Sequence, residues 1–163
     1  PEAGLAAFVH PQEPLALLTH RATPLACLHL PVTINGDIAL LKGILKELVA
    51  RGAVDRGFVD THTDGFPELV ADLEATSWEA ICAGSGLTRD QILQAAEIAA
   101  SSQRTICCWA MGLTQHENAV ATIQMVVNLL LIGGHVGRPG AGACPVRGHS
   151  NVQGDRTMGI FAK

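Results

Sequence analysis

The run from Arg104 to Gly134 leaves few folds open. Residues 104–110, Arg-Thr-Ile-Cys-Cys-Trp-Ala, favour a strand and are apolar enough to be buried on both faces of a sheet. Residues 111–115, Met-Gly-Leu-Thr-Gln, break that pattern and read as a loop. Residues 116–132 form a long helix that stops at Gly133-Gly134. Strand, short loop and helix in this order make an α/β unit, and ligands of such sheets bind beyond the carboxyl ends of the strands.

The other segments read as small helices around one core. Residues 25–32 suit a short strand or an extended segment closed by Pro31, and Ile34-Asn-Gly-Asp37 a turn. Asp37 is placed as the N-cap of a helix in which Ile38, Leu41, Ile44, Leu45, Leu48 and Val49 recur at helical spacing, with Gly52 as its stop. Asp55 and Ser77 are caps for short helices over 56–62 and 78–82, and residues 66–73 form another. Thr88 and Gln91 have capping-box spacing for a helix running to about 100. Residues 1–24, with four prolines, are expected to be an irregular lead-in. Residues 139–159 are glycine-spaced and polar, with no period for a helix or half-buried strand, and residues 139–163 are expected to be the least fixed.

Composition excludes several classes. Hydrophobic residues are 48% and charged ones 16%, so the chain folds instead of staying disordered. A formal charge of −4 argues against a nucleic-acid binder held by phosphate contacts, and the absence of tyrosine removes stacking platforms. The apolar run 125–132 is far too short to span a bilayer. Five cysteines without Cys-x-x-Cys spacing point to reduced thiols in a cytoplasmic protein, with at least one of Cys107 and Cys108 as a small buried hydrophobe. The chain begins with Pro1, and both ends are expected to continue into a longer polypeptide.

Three places carry groups suited to chemistry. Met111, Gly112 and Gln115 precede a helix start, where N–H groups favour an anion and the Gln amide matches a base edge; on spacing alone an ordinary βα loop is the favoured alternative. Asn35, Gly36 and Asp37 offer a carboxylate that could take two hydrogen bonds from a guanine-like edge, or a plain helix cap. Arg147, followed by Gly148, presents a planar fork for a carboxylate or phosphate, and His149 can shuttle protons near neutral pH; the alternative for both is surface solvation. Gly137-Arg-Pro-Gly-Ala-Gly142 is not a dinucleotide fingerprint, because its spacing is wrong and it follows a helix. There is no Walker A sequence or nucleophile elbow, and the histidines lack metal-ligand spacing.

Taken together, Asn35-Gly-Asp-Ile-Ala-Leu-Leu41, Phe58-Val-Asp-Thr-His-Thr63, Trp109-Ala-Met-Gly-Leu-Thr-Gln-His116, Asn128-Leu-Leu-Leu-Ile-Gly-Gly134, Gly137-Arg-Pro-Gly-Ala-Gly142 and Pro145-Val-Arg-Gly-His-Ser-Asn-Val-Gln-Gly154 resemble, in order, the molybdopterin oxidoreductase family. Within it the resemblance is to the catalytic alpha subunits of formate dehydrogenases and their relatives, whose chains are several times longer. It implies an α/β, Rossmann-like (dinucleotide-binding-like) domain fragment, helix-rich with few parallel strands. Residues 25–148 would belong to the molybdopterin-guanine-dinucleotide-binding domain and residues 149–163 would start its neighbour.

The resemblance further implies molybdenum or tungsten held by two molybdopterin guanine dinucleotides. Asn35, Gly36 and Asp37 fall where the family's Gly-Thr-Asp turn reaches a guanine, and Met111, Gly112 and Gln115 where a segment contacts a guanine dinucleotide. Arg147 matches the arginine beside the metal that orients the substrate carboxylate, with Gly148 and His149 close to the pterin. Formate dehydrogenases show Arg-Gly-Gln-Asn-Asn where this chain has Arg147-Gly-His-Ser-Asn151, which leaves formate or another small molecule as substrate. The metal ligand and the cysteines for a [4Fe–4S] cluster would lie upstream, so no residue here is a metal ligand. The chain alone would hold no cofactor and catalyse nothing, and its partner would be the rest of its own polypeptide. Two other readings stay open: a non-catalytic nucleotide-binding module, and an interaction domain whose glycine-rich tail docks a partner.

Overall fold

The structure, a computed structural model, describes residues 7–8, 15, 23–146, 154 and 157–160. It divides into two units, residues 1–31 and 32–163. In the first, β1 (Ala7–Phe8) pairs antiparallel with β2 (Thr23–Pro24). Residues 25–32, where a strand was one expectation, form none.

The second unit is built around α1 (Asp37–Ala50). It packs against α3 (Phe66–Ala75), α4 (Trp78–Ser85), α5 (Arg89–Ser101) and α7 (Ala119–Ile132). Ile44, Leu45 and Leu48 of α1 are buried with Leu73, Ile81, Ile92, Val126 and Leu130 of those neighbours. Gly43 makes the close approach possible: a Cβ there would lie 2.8 Å from Ile92 Cγ2 and 2.9 Å from Ile81 Cγ2. Lys42 pairs with Asp72 at 2.8 Å, tying α1 to α3.

The local caps account for where the short helices begin. Asp55 Oδ1 accepts from Phe58 N at 3.0 Å and starts α2 (Arg56–His62). Ser77 caps α4, accepting from Ala80 N, and Thr88 with Gln91 forms a complete capping box on α5. Asp37 is a correction: the N-cap of α1 is Gly36, Asp37 is the first helical residue, and no side chain caps this end.

The sheet differs from the expectation in three ways. The strand β3 covers only Ile106–Trp109, and its residues alternate between exposed and half-buried, so it is not buried on both faces. Ile106 stays 54% exposed, and three of the four residues of the neighbouring strand are exposed as well. That strand is β4 (Gly142–Pro145), inside the segment expected to hold no strand. Gly-Ala-Cys-Pro has little strand preference of its own; parallel pairing with β3 (Ile106↔Gly142, Cys108↔Cys144) imposes the conformation. The connection also differs, with a one-turn helix α6 (Met111–Thr114) in place of a loop and α7 starting at Ala119 and not at 116. The result is a helix-rich α/β body with a small parallel sheet, formed by the unit β3–α6–α7–β4. Among the described residues no helix is long and apolar enough to cross a membrane.

Candidate functional site

Parallel pairing puts the carboxyl ends of β3 and β4 side by side. The register runs to Trp109↔Pro145, and Val146 N donates to Trp109 O at 2.7 Å. The chain leaves β3 through Ala110 into α6, where Leu113 N donates to Ala110 O and Gln115 N to Met111 O. Met111, Gly112 and Gln115 are all exposed at this edge. A Cβ on Gly112 would meet nothing within 4 Å, so the space above this turn is open. The Gln115 amide bonds to no described residue, leaving a donor and an acceptor unused.

Asn35, Gly36 and Asp37 stand at a different place, the start of α1. Their turn is fastened to the end of α4: Thr33 N donates to Ser85 O at 3.0 Å, Thr33 Oγ1 to Gly84 O at 2.9 Å, and Gly36 N to Thr33 O at 2.9 Å. Gly36 is buried in this junction, where a Cβ would lie 2.6 Å from Thr33 Oγ1 and 2.7 Å from Gly84 O. Asn35 is exposed and takes φ 65°, a left-handed conformation that Asn tolerates better than most side chains. Half-buried Asp37 has no hydrogen bond or ion pair to any described side chain, so its carboxylate is available. No hydrogen bond among the described residues joins this turn to the β3–β4 edge. Arg147, Gly148 and His149 lie outside the described residues, directly after Val146.

Sequence reasoning missed Thr33, which organises the Asn35–Asp37 turn, and the Val146–Trp109 pairing. Thr33 carries no local signal, since its role depends on the distant Gly84 and Ser85. It also missed His135, which is 5% exposed and has an Nδ1 without a partner among the described residues. The signal was present there: Gly133-Gly134 ends a helix, and the residue after such a stop usually makes an apolar contact. A histidine in that place is out of pattern.

The chain is thus a helix-rich α/β body whose two-stranded parallel sheet has an exposed edge, with an unengaged carboxylate at a separate helix start. No family model matches the chain. It is 46% identical to Protein YdeP of Escherichia coli (strain K12), over 99% of this chain and 23% of that protein. It is 45% identical to an uncharacterized oxidoreductase of Mycobacterium tuberculosis (strain ATCC 25618 / H37Rv), over 100% of this chain and 22% of that protein. A Staphylococcus aureus (strain USA300) protein provisionally named a formate dehydrogenase is 35% identical over 76% of this chain and 12% of its own length. Among solved structures, acetylene hydratase from Pelobacter acetylenicus superposes with a TM-score of 0.66 at 24% identity, covering 71% of this chain and 16% of that one, and so shares the fold. The chain thus spans less than a quarter of the curated relatives' length and is homologous to a segment of proteins named as oxidoreductases.

Proposed function

We propose that this chain forms part of the cofactor-binding body of a formate dehydrogenase-like molybdopterin oxidoreductase, with a Rossmann-like arrangement. The observation that carries the reading is the strand edge: Val146 N on Trp109 O joins the ends of β3 and β4 immediately before Arg147. The ordered series of family-like motifs supports it, as do relatives named as oxidoreductases and as formate dehydrogenase.

The described residues fit a guanine dinucleotide. The unengaged carboxylate of Asp37 offers the two acceptors that a guanine N1–H and N2–H require, and the backbone at Gly112 is open, since a Cβ there would meet nothing within 4 Å. Asn35, Gly36 and Asp37 would hold one guanine, and Met111, Gly112 and Gln115 would contact a dinucleotide through exposed backbone N–H groups and the Gln amide. When bound, the molybdenum or tungsten bis(molybdopterin guanine dinucleotide) would supply two-electron redox chemistry. Arg147 would clamp a small anionic substrate, with Gly148 allowing close approach and His149 holding a proton near neutral pH. The metal ligand, the [4Fe–4S] cluster and the contacts to a redox partner would belong to polypeptide outside these residues, in a cytoplasmic enzyme.

The test is made on a polypeptide of the relatives' length, purified from its own host. It should carry molybdenum or tungsten with guanylated pterin, and Arg147→Ala should remove nearly all substrate oxidation while leaving the metal content unchanged. A preparation with neither metal nor pterin defeats the reading. The 163 residues alone should not oxidise formate with any added acceptor.

A further inference from the structure

Three helices end against one cavity of ≈ 260 Å³, on which Ala53, Ala100 and Leu129 from the ends of α1, α5 and α7 converge with Asp55, Thr105 and His135. Two of these ends close in the same way. Gly52 N and Ala53 N donate to Val49 O and Leu48 O, and Gly134 N and His135 N to Leu131 O and Leu130 O, with Gly52 at φ 69° and Gly134 at φ 62°. Asp55 N donates to Ile132 O at 2.7 Å, fixing the exit of α1 to the end of α7.

The lining of this cavity holds one carboxylate, Asp55, and the ends of three helices. A helix C-terminus carries about half a negative elementary charge. None of the three helices has a basic residue in its last turn. The end of α3 is treated differently: Lys46 Nζ reaches over and donates to Leu73 O at 2.6 Å and Thr76 O at 2.9 Å. Among the described residues no Lys or Arg lines the cavity. Arg51, next after α1, is engaged by Glu47 and Glu97. Arg138 is not among the lining residues; it donates to Gln103 O at 3.1 Å and to Asp55 Oδ2 at 3.5 Å, a long contact that offsets part of the carboxylate's charge.

Asp55 adds a full negative charge and keeps acceptor capacity beyond its bonds to Phe58 N and Arg138. His135 supplies the second observation. It lines the cavity at 5% exposure, and its Nδ1 is buried without a partner among the described residues. Burial, and then the charge of Arg138, lower its pKa, which favours the neutral ring. In the tautomer with its proton on Nε2, Nδ1 is an acceptor with no donor among the described residues.

We propose that this cavity binds an alkylammonium group, held by Asp55 and by His135 Nδ1 beside the negative ends of α1, α5 and α7. Leu48, Val54 and Leu129 give the alkyl part an apolar wall. No cluster of three metal-ligating side chains exists among the described residues, so coordination of a bare metal ion is not the mode. The ammonium can come from a free amine or from a lysine side chain of another polypeptide segment.

The 163-residue chain is titrated with butylammonium chloride, with butanol and sodium chloride as controls, and followed by NMR at the amides of Ala53 and Ala100 and at the His135 ring. Saturable shifts are expected with butylammonium alone, and Asp55→Asn should weaken them at least tenfold. Because Asp55 also caps α2, His135→Leu is the second variant; it removes the acceptor without touching the cap and should weaken binding too. Repeating the titration on a polypeptide of the relatives' length separates the sources: retained binding indicates a free amine, loss of binding with a lysine Nζ found against Asp55 indicates a lysine already in place, and loss of binding without such a lysine overturns the proposal. Equal shifts with butanol, shifts that never saturate, or an ordered water as the sole occupant would overturn the proposal.

Discussion

Single residues matter most where backbone approaches backbone. Gly36 lies between Thr33 and the carbonyl of Gly84, and a methyl group would sit 2.7 Å from that oxygen. The oxygen cannot move without undoing its bond from Thr33 Oγ1. Gly36→Ala should therefore cost about 1–3 kcal/mol, as overpacking does, read as a lower urea midpoint. An unchanged midpoint would show that the turn relaxes freely. His135 gives a different kind of residue effect. Its folded pKa lies below the ordinary 6.5, so as pH falls the unfolded chain takes up the proton first. The stability that depends on a neutral ring is fully present above about pH 7 and is lost as pH drops through about 6.5 towards the folded value. Of the charged groups acting on the ring, Arg138 lowers its pKa and Asp55 raises it. Glu79, whose pKa its own backbone N–H lowers, acts only below about 4.5, outside that window. Urea midpoints at pH 7.5 and 5.5 should differ for the natural chain and differ less for His135→Leu. Parallel behaviour of the two would show that the ring does not titrate with folding.

At the level of elements, legibility followed the range of the interactions. The α5 start was legible because Thr88 and Gln91 satisfy each other's backbone groups within four residues: Thr88 N donates to Gln91 Oε1 at 2.9 Å, and Gln91 N to Thr88 Oγ1 at 3.3 Å. Thr88→Ala should cost about 1 kcal/mol, measurable as a shift of the thermal midpoint, with no shift if water replaces the cap. The α1 start was misread by one residue because its cap position is fixed from outside, by α4 gripping Thr33. The strand β4 was not legible at all. Nothing in Gly-Ala-Cys-Pro favours a strand, and its pairing partner stands some 36 residues earlier in the chain. The same distance effect hid the cavity formed by α1, α5 and α7, whose helices were each foreseen singly while their convergence was not. Of the candidate site, Asn35–Asp37 and Met111–Gln115 were visible as turns before helices, but their supports were not.

For the whole molecule, the exposure of the small sheet decides how the thiols behave. Five cysteines suggested reduced thiols, and all five are free in the structure. Residues on β3 alternate, so Ile106 and Cys108 face out while Cys107 and Trp109 are half-buried. Across the register, Cys144 sits beside Cys108, and both are exposed. A disulfide-reactive chromogenic thiol reagent should therefore titrate five thiols in guanidinium and report two classes in the native chain. Cys27, Cys108 and Cys144 should lead, and half-buried Cys82 and Cys107 should lag. The burial that hides Cys107 also pushes its pKa up, so less of the reactive thiolate is present at neutral pH. Cys108 is slowed for another reason: the Cys144 thiol beside it raises its pKa first, ahead of burial. Cys144→Ala removes that neighbour and should speed the reaction of Cys108 at pH 7.5, with the difference fading as pH approaches the thiol's own titration range. Fewer than five thiols in guanidinium would reveal a disulfide. Cys107 reacting ahead of Cys108 would mean that the sheet presents its other face to solvent.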